Sequence, residues 1–127
     1  MHGAFSGYNV VNVLLRSMWK FNINPYIAKR ALRALNILSA YGDNLAYMQN
    51  TGIVHSVLLA MQHHTEDIEM QTEAISTLFH CVEAHPHMHV GFRKQLGMWM
   101  IQNALEMPDL DAKCKKRVRK IMQACAD

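Results

Sequence analysis

Acidic residues are missing from the first third of this chain. Residues 1–42 contain no Asp or Glu, yet they carry Arg16, Lys20, Lys29, Arg30 and Arg33. Mitochondrial presequences have this kind of acid-free, basic, amphipathic composition, so import targeting is one reading. Against it, the same stretch supplies apolar positions that recur later in the chain, as a removable peptide would not. No secretory signal is evident, because Asn12 and Arg16 interrupt the early apolar residues.

Glycine and proline are also scarce. Six Gly and three Pro in 127 residues are too little punctuation for the many turns of an all-β fold. No apolar run approaches the roughly eighteen residues that a membrane-crossing helix needs. Cys81, Cys114 and Cys125 are an odd number without paired spacing. That argues against a disulfide or zinc framework and for buried thiols in a reducing compartment. The expected location is therefore intracellular and cytoplasmic, with the mitochondrion as the alternative.

Catalytic motifs are absent as well. There is no Gly-rich phosphate loop, no GxSxG and no His-Glu-x-x-His. Cys81 follows His80, but neighbours on a helix point about 100° apart. His85-Pro86-His87-Met88-His89 and His63-His64 gather histidines without the three or four converging ligands zinc requires. They read as solvated loop histidines. Expected catalytic residues, metal ligands and cofactors are none.

What is present is helical periodicity. Half the residues are apolar and 18% are charged, the balance of a folded chain. Asn9 to Lys20 reads as a helix with a Val10, Val13, Leu14, Met18 stripe, after a flexible Met1–Tyr8 lead-in. Asn24 as cap and Pro25 at the first helical position start a second helix, running to about Ala40. Gly42 can end it in the left-handed conformation. A short segment follows at Asn44–Asn50, then Thr51-Gly52-Ile53, and an apolar run from Val54 to Met61. Thr65 can cap the long Ile68–Val82 helix, with Glu66 and Asp67 suiting the positive end of its dipole. His87–Gln95, Met98–Glu106 and Asp109–Ala126 complete the helical pattern.

The long helix repeats. Ala74, Ile75, Leu78 and Cys81 fall on Ala31, Leu32, Leu35 and Leu38 at a shift of 43 residues. In the other direction Ile75, Leu78, Cys81 and Val82 fall on Val118, Ile121, Ala124 and Cys125, while Ala74 meets a mismatch at Arg117. Val54, Val57, Leu58 and Leu59 align more loosely with Val10, Val13, Leu14 and Leu15. Self-similarity at this period indicates an array of helical repeats. One domain over 1–127, with units at about 9–42, 43–85 and 86–127, accounts for it. The first unit lacks a short helix over Val10–Leu15. Neither end looks like a capping repeat. That implies a piece of a longer array, or an N-terminal edge covered by a partner or a second copy.

The unit resembles an armadillo repeat: a short first helix, a Gly-Ile junction at Gly52-Ile53, and Ala31-Leu32-Arg33-Ala34-Leu35-Asn36-Ile37-Leu38-Ser39 matching the small and leucine positions of the third helix. HEAT-type repeats are the near alternative. The resemblance implies an all-α, right-handed α-solenoid whose third helices line the concave surface. The family's groove Trp column falls on Arg33, Ser76 and Arg119, and its groove Asn column on Ile37, His80 and Gln123. The Trp–Asn pair with which importin-α-like members hold basic peptides is absent. Arg30, Arg33, Lys116 and Arg119 favour acidic ligands by charge instead.

These readings converge on a non-catalytic protein–protein interaction module, a scaffold or adaptor. Its candidate partner-binding residues are Arg30, Arg33, Ile37, Ser76, His80, Lys116, Arg119 and Gln123, with Arg33 and Ser76 expected at the surface. The alternatives are a structural subunit of a larger assembly, or nucleic-acid or acidic-surface binding by Lys113, Lys115, Lys116, Arg117, Arg119 and Lys120.

Overall fold

Local capping decides where the helices begin. The computed structural model of the chain describes residues 2–21, 23–48, 51–85, 88, 92 and 97–125. Among them are seven α-helices and no strand: α1 (His2–Phe21), α2 (Pro25–Ser39), α3 (Gly42–Met48), α4 (Ile53–His63), α5 (Ile68–Ala84), α6 (Gly97–Leu105) and α7 (Ala112–Cys125). Asn24 Oδ1 accepts from the Tyr26 and Ile27 amides at 3.0 and 3.3 Å, so α2 starts as its sequence requires. Asp67, not Thr65, caps α5, accepting from the Met70 N–H at 3.1 Å. Asp111 does the same for α7 through the Cys114 N–H at 2.8 Å, which moves that helix start from Asp109 to Ala112.

Two further boundaries differ from expectation. The Met1–Tyr8 lead-in is helical from His2 despite Gly3 and Gly7. A glycine costs about 1 kcal/mol within a helix, a weak preference that continuation of a packed helix overrides. Gly42 opens α3, and the end of α2 is secured differently: the Asn44 side-chain amide donates to the Leu38 carbonyl at 3.0 Å. Among the described glycines the left-handed conformation belongs to Gly52, with φ +78°, at the entry to α4.

The inward faces repeat more strictly than the sequence alone suggests. In α2, α5 and α7 the buried positions that recur are Ala28, Ala31, Leu32, Leu35 and Ser39, then Gln71, Ala74, Ile75, Leu78 and Val82, then Cys114, Val118, Ile121 and Cys125, while Met70, Ser76, Thr77 and Cys81 are buried in α5 alone. Each recurring position falls 43 residues after its predecessor. In α1, α4 and α6 the same spacing relates Val11, Leu15 and Met18 to Val54, Leu58 and Met61, and these to Gly97, Ile101 and Ala104, all of them buried. This corrects the face of α1. Val10 and Val13 are exposed, whereas Val11 and Leu15 point inward. The Val10-Val11 and Leu14-Leu15 doublets fit two neighbouring phases of a 3.6-residue period, and only packing selects one.

Neighbours follow the same order. α5 packs between α2 and α7, and α4 between α1 and α6, while α1 pairs with α2, α4 with α5 and α6 with α7. The short α3 rests on α1, α2 and α5. Of the short helix expected at His87–Gln95, only Met88 and Phe92 lie within the described residues, both buried. The Phe92 ring fills the space beside Gly97, where an added Cβ would come within 2.7 Å of three ring carbons. One polar side chain in this core has a clear task. Gln71 Nε2 donates to the Met61 and His64 carbonyls at 3.2 and 2.8 Å, closing the C-terminal end of α4.

Candidate interaction surface

The outward faces of α2, α5 and α7 carry the candidate residues, and each helix presents them differently. On α2, Arg30, Arg33 and Ile37 are exposed at three- and four-residue spacing and line one shallow cleft with Ala34. Tyr41, just past the helix, extends the stripe. Arg30 is positioned locally: its Nη1 donates to the Tyr26 hydroxyl at 3.1 Å and its guanidinium lies 5.3 Å from the ring centre. On α7, Lys116, Arg119 and Gln123 are exposed.

The α5 members are not exposed in this way. Ser76 is only 5% exposed, because the Arg117 guanidinium donates to its hydroxyl at 2.6 Å and covers it. The expectation of a surface Ser76 is therefore wrong, and the reason is a side chain 41 residues away. Arg117 also lies 5.2 Å from the centre of the Phe79 ring, with the Lys120 ammonium 6.0 Å from it. At the position where the other two copies have Ala31 and Ala74, Arg117 thus becomes a tether between helices. Arg119, two residues on, projects to the opposite side of α7, since two helical steps turn about 200°.

His80 is half-buried. Its Nδ1 lies 2.8 Å from Ser39 Oγ, and Ser39 Oγ donates to the Asn36 carbonyl at 2.8 Å. The hydroxyl has one proton to give, so Nδ1 carries a proton and donates to Ser39, as it does in the neutral Nδ1–H tautomer. Burial, reinforced by the charges of Arg117 and Lys113, lowers the His80 pKa below its ordinary 6.5 and favours that neutral form.

Charge on this side alternates instead of being uniformly basic. Glu73 stands between the basic helices, accepting from Asn36 Nδ2 at 2.7 Å and lying 4.0 Å from Arg33 Nε. Lys29 pairs with Asp67 at 3.0 Å and lies 3.9 Å from Glu69. Burial raises the Asp67 pKa, but the Met70 N–H and the Lys29 ammonium outweigh it and hold the carboxyl below its ordinary value. A cleft of about 360 Å³ brings Lys29, Arg33, Glu69, Glu73, Asp109 and Asp111 together. The basic stretches are therefore the middle of α2, at Arg30 and Arg33, and the length of α7, separated by an acidic entry to α5.

Cys81 and Cys114 are not activated. Burial pushes the Cys81 thiol up to about 12, and burial followed by the Asp111 charge raises that of Cys114. Both are protonated at neutral pH, and a thiol is a poor nucleophile. Among the described residues no group of three His, Cys, Asp or Glu side chains converges as metal ligands do. His87 and His89 lie outside the described residues. No described helix is long and apolar enough to cross a membrane. Neither a family model, nor a curated protein, nor a solved structure matches this chain.

Proposed function

We propose that this chain is an armadillo-like, right-handed helical repeat module that acts without catalytic chemistry, by binding a partner chain along the outward face of its third helices. The reading rests on the exposed stripe Arg30, Arg33, Ile37 and Tyr41 of the first unit. Arg and aromatic side chains on a rigid helix are the types that anchor protein interfaces. Ile37 and Tyr41 are 58% and 66% exposed, while the equivalent surface of α5 is already occupied by Arg117 and Ser39. The partner is a segment that interleaves carboxylates with apolar side chains, the carboxylates meeting Arg30 and Arg33 and the apolar groups meeting Ile37. The three buried thiols suit a reducing compartment, and the cytoplasm is the proposed location.

Photo-crosslinking tests this reading. A photoreactive residue at Ile37 should give a discrete protein adduct in cells, lost when Arg30 and Arg33 are changed to Glu. The same residue at the exposed Gln62 on α4 should give none. The same adducts from both positions, or an Ile37 adduct indifferent to the charge reversals, would contradict it.

A further inference from the structure

Three times the chain turns from one helix of a pair into the next, at residues 20–24, 63–67 and 106–110, and only the first turn lacks an acid. Where the first has Ile23, the others have Glu66 and Asp109, and where the first has Lys20 the third has Glu106. Ile23 is 74% exposed, the most exposed of the described large apolar side chains. Trp19 and Tyr26 on either side are also exposed, with the Trp19 ring tilted against the His55 ring at 5.1 Å. Arg16 lies about one helical turn before Trp19, and Arg30 one turn after Tyr26. The corner between α1 and α2 is thus an apolar tip set among cations.

We propose that this corner docks the protein peripherally on a membrane surface that contains anionic phospholipids. Trp and Tyr have an apolar body and a polar edge, the combination that sits at headgroup level. Ile23 at the apex can enter the acyl boundary, while Arg16, Lys20 and Arg30 remain at the depth of the phosphates. Apolar side chains projecting singly from a turn suit a soft interface that closes around each of them, whereas a folded partner would need a matching pocket. Pairing with the same corner, or with the last helix, of a second copy is disfavoured by charge. Corner against corner would set these cations on their own equivalents, and corner against the last helix would set them on Lys115, Lys116 and Arg119. The acidic turns at Glu66 and Asp109 would be repelled, so contact is made edge-on by the first unit. The site shares Arg30 with the partner-binding stripe, which otherwise runs along α2 away from the corner.

Flotation of the full chain with vesicles tests the proposal. It should float with phosphatidylcholine vesicles in which phosphatidylserine is about a third of the lipid, and not with phosphatidylcholine alone, and salt should weaken the binding. Ile23→Glu, which gives the first turn the residue of the second, should reduce partitioning at least about tenfold, the effect of losing one buried aliphatic side chain. Its melting temperature should match the unaltered chain, since the position is exposed. Arg16→Gln and Lys20→Gln should each reduce partitioning about fivefold. In a Trp99→Phe background, Trp19 fluorescence should shift to the blue on binding. Equal binding to both vesicle types, or binding indifferent to Ile23→Glu, would overturn the proposal. Soluble polyglutamate that shifts Trp19 while anionic vesicles do not would also overturn it, and would assign the corner to an acidic polypeptide.

Discussion

α5 is held on its two sides by different chemistry. Towards α2, carboxylates of α5 and of its cap accept from α2: Asp67 from Lys29, and Glu73 from Asn36. Towards α7, α5 accepts again, without carboxylates. Neutral groups of α5, the Ser76 hydroxyl and the Phe79 ring, receive the cation of Arg117. One pair in each seam nevertheless has the same spacing. Ser39 meets His80 across the first and Ser76 meets Arg117 across the second, and both pairs are 41 residues apart. The register is common because the buried apolar positions set it. The polar pairs adapt to whatever residues that register brings together.

Removing the shared apolar part should therefore weaken both seams at once and have the largest effect. Leu78 is fully buried, and Leu78→Ala should cost about 2–5 kcal/mol in chemical denaturation. A loss under about 1 kcal/mol would mean that α5 does not hold the two seams together. Making the third unit resemble the others is the next test. Val11 and Val54 occupy the position of Gly97, but Phe92 takes the space there. Gly97→Ala should destabilise by about 1–3 kcal/mol through overpacking, and Phe92→Leu in the same chain should recover part of that loss.

The second seam alone is addressed by Arg117→Ala, which restores the alanine of the other two copies. Loss of a charge-assisted bond to a buried hydroxyl should cost about 1–3 kcal/mol. A neutral or stabilising result would show that helix propensity outweighs the tether. The first seam alone is addressed at Asp67. Asp67→Ala removes a helix cap and should cost about 0.5–2 kcal/mol. Asp67→Asn keeps a capping oxygen, as Asn24 does, and should cost less.

pH separates the seams most finely. The folded-state pKa of Asp67 lies below its ordinary 3.8, so its contribution is complete above that value and is lost as pH falls through the folded value. The folded-state pKa of His80 also lies below its ordinary 6.5, so its neutral form stabilises fully above that value. As pH falls below 6.5 the unfolded chain takes up the proton first and stability declines, until the folded pKa is passed. Denaturation midpoints should therefore drop in two steps. His80→Gln should abolish the upper step and leave the lower one.

Much of the helical order is legible in the sequence because it depends on local chemistry. Asn24-Pro25 marks the start of α2, Gly52 the entry to α4, and the shift of 43 aligns Leu35, Leu78 and Ile121. What escapes depends on residues far apart or on near-degenerate choices. Thr65 and Asp67 can both cap, and the aspartate is selected by its place one turn before Met70 and by Lys29 from another helix. Ser76 reads as a surface residue until Arg117 is seen to cover it. Arg117 itself, a mismatch in the alignment, is the residue that makes the second seam. Of the candidate surface, Arg30, Arg33 and Ile37 are legible because their exposure follows from helical phase alone. The acidic break at Glu73 between the basic helices is not, since it needs the packing of α2 against α5.

The shared register is open to direct measurement by nuclear Overhauser contacts in the labelled chain. The account predicts cross-peaks between the Ser39 β-protons and the His80 ring, and between the Ser76 β-protons and the Arg117 δ-protons, the same separation of 41 residues in both seams. Either of these two contacts displaced by a helical turn, or one found and the other absent, would contradict it.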